Sequence, residues 1–291
     1  MEYIHLRARA KINLALDIER KREDGYHEIT SIMQSLSLYD KIYIKKVYKS
    51  DYLKVITNVH WLPSDQRNLA YKAADYLRSK FDINNGIFIN IEKNIPSMAG
   101  LGGGSADCAA TLLGMRKLFN LPITIDELIS LGSIFGADVP FCIMEGTALA
   151  KGIGEKLTPL KNIPPLHILL VKPSVLCSTK EIFSKYNDKV VTKRPNIPNM
   201  LKSIESSDLD GICTNMANVL ESVTSVKHPI VCDIKRLMRA KGARAAHMTG
   251  TGPTVFGIFE TYHEANLAKN EIKNKIKDIS EVFITNPYFR K

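Results

Sequence analysis

Residues 96–106 read Pro-Ser-Met-Ala-Gly-Leu-Gly-Gly-Gly-Ser-Ala, with four glycines in eleven positions. A strictly alternating segment, Gly86–Glu92, precedes them and predicts a strand; a helical pattern from about Ser105 to Leu118 follows. A strand that turns into a helix through glycines leaves successive backbone N–H groups at the positive helix end. That arrangement is an anion cradle. Glycines also serve tight packing, so the loop alone leaves both readings open. Two common nucleotide loops are excluded. A Rossmann turn needs G-x-G-x-x-G and an acid about 20 residues on, closing a second strand; here Ser105 takes the third position and Asp126 opens a helix. A Walker loop ends in G-K-[ST], a triplet this chain lacks.

The surrounding pattern is mixed. Tyr3–Arg9, Ile12–Glu19, Ser31–Ser37, Lys41–Val47 and Tyr52–Thr57 read as strands. Ser64-Asp65 predicts the cap of a helix over Arg67–Lys80, and Ile125–Phe135 a further helix, with Phe141–Ala150 returning to strand. Past a polar, proline-containing stretch at Lys161–Pro165, His167–Val171 predicts a strand and Thr179–Tyr186 a helix. Helices follow near Met200–Glu205, Met216–Val223 and His228–Lys241. Ala243–Met248 and Thr254–Phe259 predict paired strands, Tyr262–Lys275 a helix and Val282–Thr285 a last strand. The 291 residues, at ~150 per domain, suggest two α+β domains around one cleft, divided as 1–160 and 161–291.

Composition narrows the class. A hydrophobic content of 45% supports a sizeable core. The longest apolar runs, such as Ile168–Val171, fall far short of the ~20 residues that cross a bilayer, so no membrane partner is expected. The opening residues carry charge without an apolar stretch, which predicts no secretory leader. Five cysteines, odd in number and without C-x-x-C, predict reduced thiols and a cytoplasmic location. The net charge of +10 raises nucleic acid as a partner. Residues 1–150 hold 18 basic and 17 acidic side chains, a net of +1, so the remaining +9 lies beyond them, mostly as dispersed lysines. Such a distribution reads as a solvated face rather than a nucleic-acid footprint.

The motif P-x-x-x-G-L-G-x-x-x-A between strand and helix resembles the phosphate loop of the galactokinase, homoserine kinase and mevalonate kinase (GHMP) superfamily. Ala10-Lys-Ile-Asn-Leu14 and Gly250-Thr-Gly-Pro-Thr254 resemble its other two signatures, in the right order. Asp24-Gly-Tyr-His-Glu28 and the triple glycine are similar to one branch, whose substrate is a small alcohol carrying a diphosphocytidyl group. Gly136-Ala-Asp-Val-Pro-Phe141, Gly152-Ile-Gly-Glu155 and Asn218-Val-Leu-Glu221 match the same branch, so the resemblance spans essentially the whole chain. Arg9 stands where that branch usually has proline, Thr249 and Thr251 replace serines, and Gly103 and Gly104 replace superfamily serines.

The resemblance implies a two-domain α+β fold. Its N-terminal domain resembles domain 2 of ribosomal protein S5, and its C-terminal domain a ferredoxin-like sandwich. It implies a small-molecule kinase using ATP and Mg²⁺. The nucleotide phosphates would lie on Pro96, Ser97, Met98, Ala99, Gly100, Leu101, Gly102, Gly103, Gly104, Ser105 and Ala106. Asp138, a carboxylate in an otherwise apolar stretch, reads locally as either a helix cap or a general base; the resemblance implies the base. Lys11 reads as a strand-edge solubiliser or, by resemblance, as the cation that stabilises the transferring phosphoryl group. Tyr26 and His27 match the branch's cytidine-binding pair, and Phe183 its second aromatic, with Tyr186 one turn away. Asn13 and Thr179 are further substrate-contact candidates. The seven histidines are dispersed without zinc spacing, and no magnesium ligand can be named from the pattern. Two alternatives stand beside this reading: a mevalonate- or homoserine-type kinase, and an RNA-binding protein.

Overall fold

The computed structural model describes residues 2–290. They pack as two compact units, neither continuous in sequence. The first takes the chain up to Ala10, then Leu38–Ser97 and Gly102–Glu145; the second takes Lys11–Ser37, Met98–Leu101 and the chain from Gly146 onward. Two long paired strands, β1 (Tyr3–Lys21) and β2 (His27–Val47), each run from one unit into the other. Sequence predicted each of them as two strands. They are continuous because the polar residues at the expected breaks are buried and bonded. Lys11 and Asn13 are 4% and 3% exposed. Asp40 is fully buried and accepts the N–H groups of Asn94 (2.5 Å) and Ile95 (2.7 Å).

In the first unit, β4 (Gly86–Glu92) pairs parallel with β3 (Leu53–Thr57) and antiparallel with Lys41–Val47 of β2. Helix α1 (Leu69–Lys80) starts two residues later than expected, because Asn68 caps it while Asp65 engages Arg67. Helix α2 (Gly103–Phe119) packs against α1 and crosses the sheet at Gly114. A Cβ there would meet Ile44 Cδ1 at 2.6 Å and Leu6 Cδ1 at 2.7 Å, so any larger residue would have to push those two side-chain ends aside. Thr124 and Glu127 form a capping box that opens α3 (Ile125–Gly132). The strand expected over Phe141–Ala150 is half wrong: Val139–Met144 is helix α4 and only β5 (Thr147–Lys151) is extended. A short apolar run does not distinguish a buried helix from a buried strand, and Pro140 in the first turn tips it to helix.

In the second unit, Ser31–Gln34 of β2 pairs with β5, and β5 with β6 (Lys156–Pro159), a strand sequence reasoning missed. The rest of the unit comprises β7 (His167–Pro173), α5 (Thr179–Ser184), α6 (Ile197–Glu205), α7 (Leu209–Asn215), α8 (Glu221–Lys227) and α9 (Ile230–Ala240), then β8 (Ala245–Met248), β9 (Val255–Phe259), α10 (Tyr262–Lys275) and β10 (Ile279–Thr285). The antiparallel sheet runs β10-β7-β9-β8, the strand order of a ferredoxin-like fold. Its core joins Leu169, Val171 and Val255 to Ile234 and Met238 of α9 and to Ala265 and Ile272 of α10. Each such aliphatic side chain contributes about 1.5–3 kcal/mol by leaving water. The helix expected over Met216–Val223 begins only at Glu221. Residues 217–219 instead bond to β1: Leu16 N–H donates to Ala217 O and Val219 N–H to Leu16 O, both at 3.0 Å.

Candidate functional site

The glycine loop has the local geometry expected of an anion cradle. Met98, Gly100 and Gly102 have φ of 53°, 73° and 70°, so the backbone turns through the left-handed region three times in five residues. Gly102 occupies the N-cap of α2 without any side chain capping it, and the helix starts at Gly103, two residues before the predicted Ser105. Its first-turn N–H groups therefore lack the side-chain acceptor that caps α1 and α3. Pro96, Ala99, Leu101 and Ala106 are buried as anchors, Ser97 and Ser105 are half-buried, and Met98 and Gly104 are exposed.

Three signature segments meet within the second unit. Lys11 N–H donates to Leu101 O at 3.0 Å, which ties β1 to the loop. Lys11 Nζ donates to Asn13 Oδ1 at 2.9 Å, Asn13 Nδ2 donates to Ser31 Oγ at 2.9 Å, and Ser31 Oγ to Ala15 O at 2.6 Å. The backbone N–H of Asn13 donates to Thr249 Oγ1 at 3.0 Å. Lys11 and Asn13 are thus parts of a buried polar network, not a solubilising edge. Asn218 supports the same network: its amide donates to Met248 O (2.9 Å) and Gly250 O (2.8 Å). Glu221 accepts Met248 N–H at 2.6 Å and pairs with Lys235. Burial alone would raise the Glu221 carboxyl, but His247 and Lys235 outweigh it and hold the group below its usual range.

The same unit assembles an aromatic cluster. His27 lies against Phe183, with ring centroids 5.4 Å apart and planes 32° apart, and meets Tyr186 edge-on at 6.1 Å. Arg194 braces the cluster by donating to Tyr186 Oη at 3.2 Å and pairing with Asp17 and Asp188. Burial, helped by the charge of Lys21, lowers the His27 pKa, so its imidazole is neutral at pH 7 and offers one donor and one acceptor. Tyr26 is 61% exposed, held by its N–H to Asp24 Oδ1 at 3.0 Å, and its ring stands outside the contacts His27 makes. Thr179 opens α5 with its hydroxyl 3.3 Å from that of Thr251.

Asp138 belongs to the first unit. It occupies the N-cap position of α4, and its side chain makes no cap hydrogen bond to that helix. It is half-buried. Gly136, two residues earlier, faces Ser105, whose Oγ would lie 3.9 Å from a Cβ there. Sequence reasoning missed a buried charge cluster beneath α2. Lys93 Nζ donates to Asp40 and, at 2.6 Å, to Asp107, with all three side chains under 10% exposed. Asp107 Oδ1 is buried without a partner. Burial pushes the Asp107 carboxyl well up against the pull of Lys93, while the two carboxylates keep Lys93 protonated despite its burial. No sequence spacing marks a pairing across 53 residues.

Among the described residues no group of three His, Cys, Asp or Glu could hold a metal. A magnesium ion bound on a nucleotide needs only one or two protein oxygens, and Ser105, in the first turn of α2, carries a hydroxyl oxygen of that kind. All five cysteines are free, and no helix among the described residues is long and apolar enough to cross a membrane.

Comparison with known proteins places this geometry. Residues 68–146 match the GHMP kinases N terminal domain and residues 200–278 the GHMP kinases C terminal. Over 274 residues the chain is 47% identical to the 4-diphosphocytidyl-2-C-methyl-D-erythritol kinase of Caldicellulosiruptor saccharolyticus, covering 94% of each chain. It is 46% identical over 280 residues to the protein of that name from Clostridium perfringens, covering 96% of each. A crystal structure of 4-(cytidine 5'-diphospho)-2C-methyl-D-erythritol kinase superposes with a TM-score of 0.83 at 29% identity, covering 98% of this chain and 99% of that one. A homoserine kinase from Cytophaga hutchinsonii shares the fold, with a TM-score of 0.76 at 18% identity over 98% and 95% of the two chains. The chain belongs to the GHMP kinases and, within them, to the 4-diphosphocytidyl-2-C-methyl-D-erythritol kinase family.

Proposed function

We propose that the protein transfers the γ-phosphoryl group of ATP to the 2-hydroxyl of 4-diphosphocytidyl-2-C-methyl-D-erythritol. The products are the 2-phosphate and ADP, in the cytoplasm, as a step of non-mevalonate isoprenoid synthesis. The hydroxyl oxygen bonds to the γ-phosphorus, the bond from that phosphorus to the β–γ bridging oxygen breaks, and Asp138 takes the hydroxyl proton. The Lys11 ammonium, oriented by Asn13, stabilises the charge on the transferring group. The phosphates rest on residues 96–106 and the start of α2. Ser105 Oγ would hold a magnesium ion arriving with the nucleotide, which would supply further charge neutralisation. Residues 1–160 form the nucleotide-binding half, and residues 161–291 contribute Thr179 and Phe183 to the substrate side. No nucleic-acid or membrane partner is part of this reading.

The observation that carries the substrate choice is His27 against Phe183. Cytosine presents an N4–H donor beside an acceptor nitrogen, and a neutral imidazole can accept from the first or donate to the second, whereas an imidazolium can only donate. Phe183 and Tyr26 supply stacking surface and Thr179 a hydroxyl. Mevalonate and homoserine have no base for these groups to read. The test is ADP release with 4-diphosphocytidyl-2-C-methyl-D-erythritol, mevalonate and homoserine in parallel. Turnover of the cytidylyl substrate alone is expected; activity on mevalonate or homoserine without it would overturn the assignment.

A further inference from the structure

The hydroxyl of Thr249 sits where the three signature segments converge. It accepts the backbone N–H of Asn13 at 3.0 Å, and it lies 3.4 Å from both Asn13 Oδ1 and Gly100 O. Thr249 is fully buried. Asn13 Oδ1 is also the acceptor of the Lys11 ammonium, and Gly100 is the left-handed turn of the glycine loop. One hydroxyl carries one proton, so Thr249 can donate to the loop carbonyl or to the Asn13 side chain, but not to both at once. In the first case it pins the glycine loop. In the second it shares the oxygen that orients Lys11.

The turn carrying Thr249 is itself held firmly. Asn218 donates to the carbonyls on both sides of Thr249, those of Met248 and Gly250. Glu221 accepts the Met248 N–H, Thr249 N–H donates to Thr254 O at 3.0 Å, and Gly252 N–H donates to Thr249 O at 2.9 Å. The 218–221 segment, which no catalytic step uses, therefore fixes the backbone from which Thr249 reaches out. We propose that Thr249 is a positioning residue that couples the glycine loop to the Lys11–Asn13 pair, with Asn218 and Glu221 as its support. This rests on the kinase reading above and concerns residues outside its chemical steps.

Valine and serine separate positioning from packing at this site. Thr249→Val keeps the volume and removes the hydroxyl; Thr249→Ser keeps the hydroxyl and leaves a methyl-sized gap. Positioning predicts a kcat at least tenfold lower and a several-fold higher KM for ATP in Thr249→Val, with Thr249→Ser within about twofold of wild type. A packing role predicts the opposite order, and that result would overturn the proposal, as would Thr249→Val within twofold of wild type. Should Thr249→Val not fold, Thr249→Ala is compared with Thr249→Ser, since both leave a gap and differ by the hydroxyl. A kcat ratio of at least tenfold is expected there, and one below twofold refutes the role. ATP affinity by titration calorimetry is read alongside and needs no turnover. Wild-type protein inactive on the cytidylyl substrate would count against the proposed function, whereas equal ATP affinity in the serine and alanine variants would count against Thr249.

Discussion

Gly100→Ala tests how tightly the glycine loop and the 249–254 turn are fitted together. The φ of 73° costs an alanine roughly 1 kcal/mol that glycine does not incur. The new Cβ would lie 2.5 Å from Thr249 O, closer than a carbon and a carbonyl oxygen can come. That oxygen cannot swing away cheaply, because it accepts the N–H of Gly252 at 2.9 Å. Loop or turn must move by roughly 0.7 Å, and overpacking of this kind costs about 1–3 kcal/mol. The combined loss is about 2–4 kcal/mol. With an unfolding entropy of about 0.6 kcal/mol/K for a chain of this length, the melting temperature falls by roughly 3–7 °C. A shift approaching 1 Å in the groups that position phosphate lowers kcat/KM for ATP by about 10²-fold. Gly104→Ala is the control for stability, since it lies in the first turn of α2 and the nearest atom to a new Cβ is Leu69 Cδ1 at 3.9 Å. Melting curves compare the two variants, and coupled ADP release compares Gly100→Ala with wild type. Gly100→Ala melting like Gly104→Ala and turning over like wild type would refute this fit of loop and turn.

Lys93→Met leaves Asp40 and Asp107 buried without their cation, which costs about 3–5 kcal/mol, whereas Asp107→Asn leaves a neutral Lys93–Asp40 pair and changes stability by less than about 1 kcal/mol. Equal melting temperatures for the two variants would contradict the cluster as described. Because burial lowers the His27 pKa below its usual value, the neutral imidazole predominates between pH 8 and 7 and is lost as pH falls through the lowered pKa. The KM for the cytidylyl substrate is therefore flat between pH 8 and 7 and rises in more acidic solution; a rise already between pH 8 and 7 would count against neutral-imidazole recognition. Lys11→Ala lowers kcat by at least 10²-fold with a smaller change in substrate KM, and a purely binding role would show the reverse in steady-state kinetics.

The glycine loop and the strands and last helix of the C-terminal half were legible because local sequence determines them. Left-handed turns need glycine, alternation marks strands, and Thr261 with Glu264 marks the start of α10. Legibility failed where tertiary contacts override local pattern. Lys11 and Asp40 fell at expected strand breaks because their partners, Leu101 and the 93–95 segment, lie far along the chain. Asp138 reads locally as a helix or turn cap; it does stand at the N-cap position of α4, but its side chain makes no cap bond there. Thr249 was visible only as a threonine in place of a serine; that its hydroxyl joins β1 to the glycine loop depends on contacts 236 and 149 residues apart. Residues 217–219 carry a helical pattern, but bonding to Leu16 delays the helix until Glu221.

We propose Asp138 as the acceptor of the proton that leaves the substrate hydroxyl as it is phosphorylated. Single-turnover transfer from ATP to 4-diphosphocytidyl-2-C-methyl-D-erythritol by Asp138→Asn measures it most directly, with substrate affinity and melting temperature followed in the same samples. The expected result is a rate at least 10²-fold below wild type, with affinity within a few-fold and a cooperative melting transition showing that the variant is folded. A folded Asp138→Asn protein that transfers phosphate at close to the wild-type rate would contradict the account.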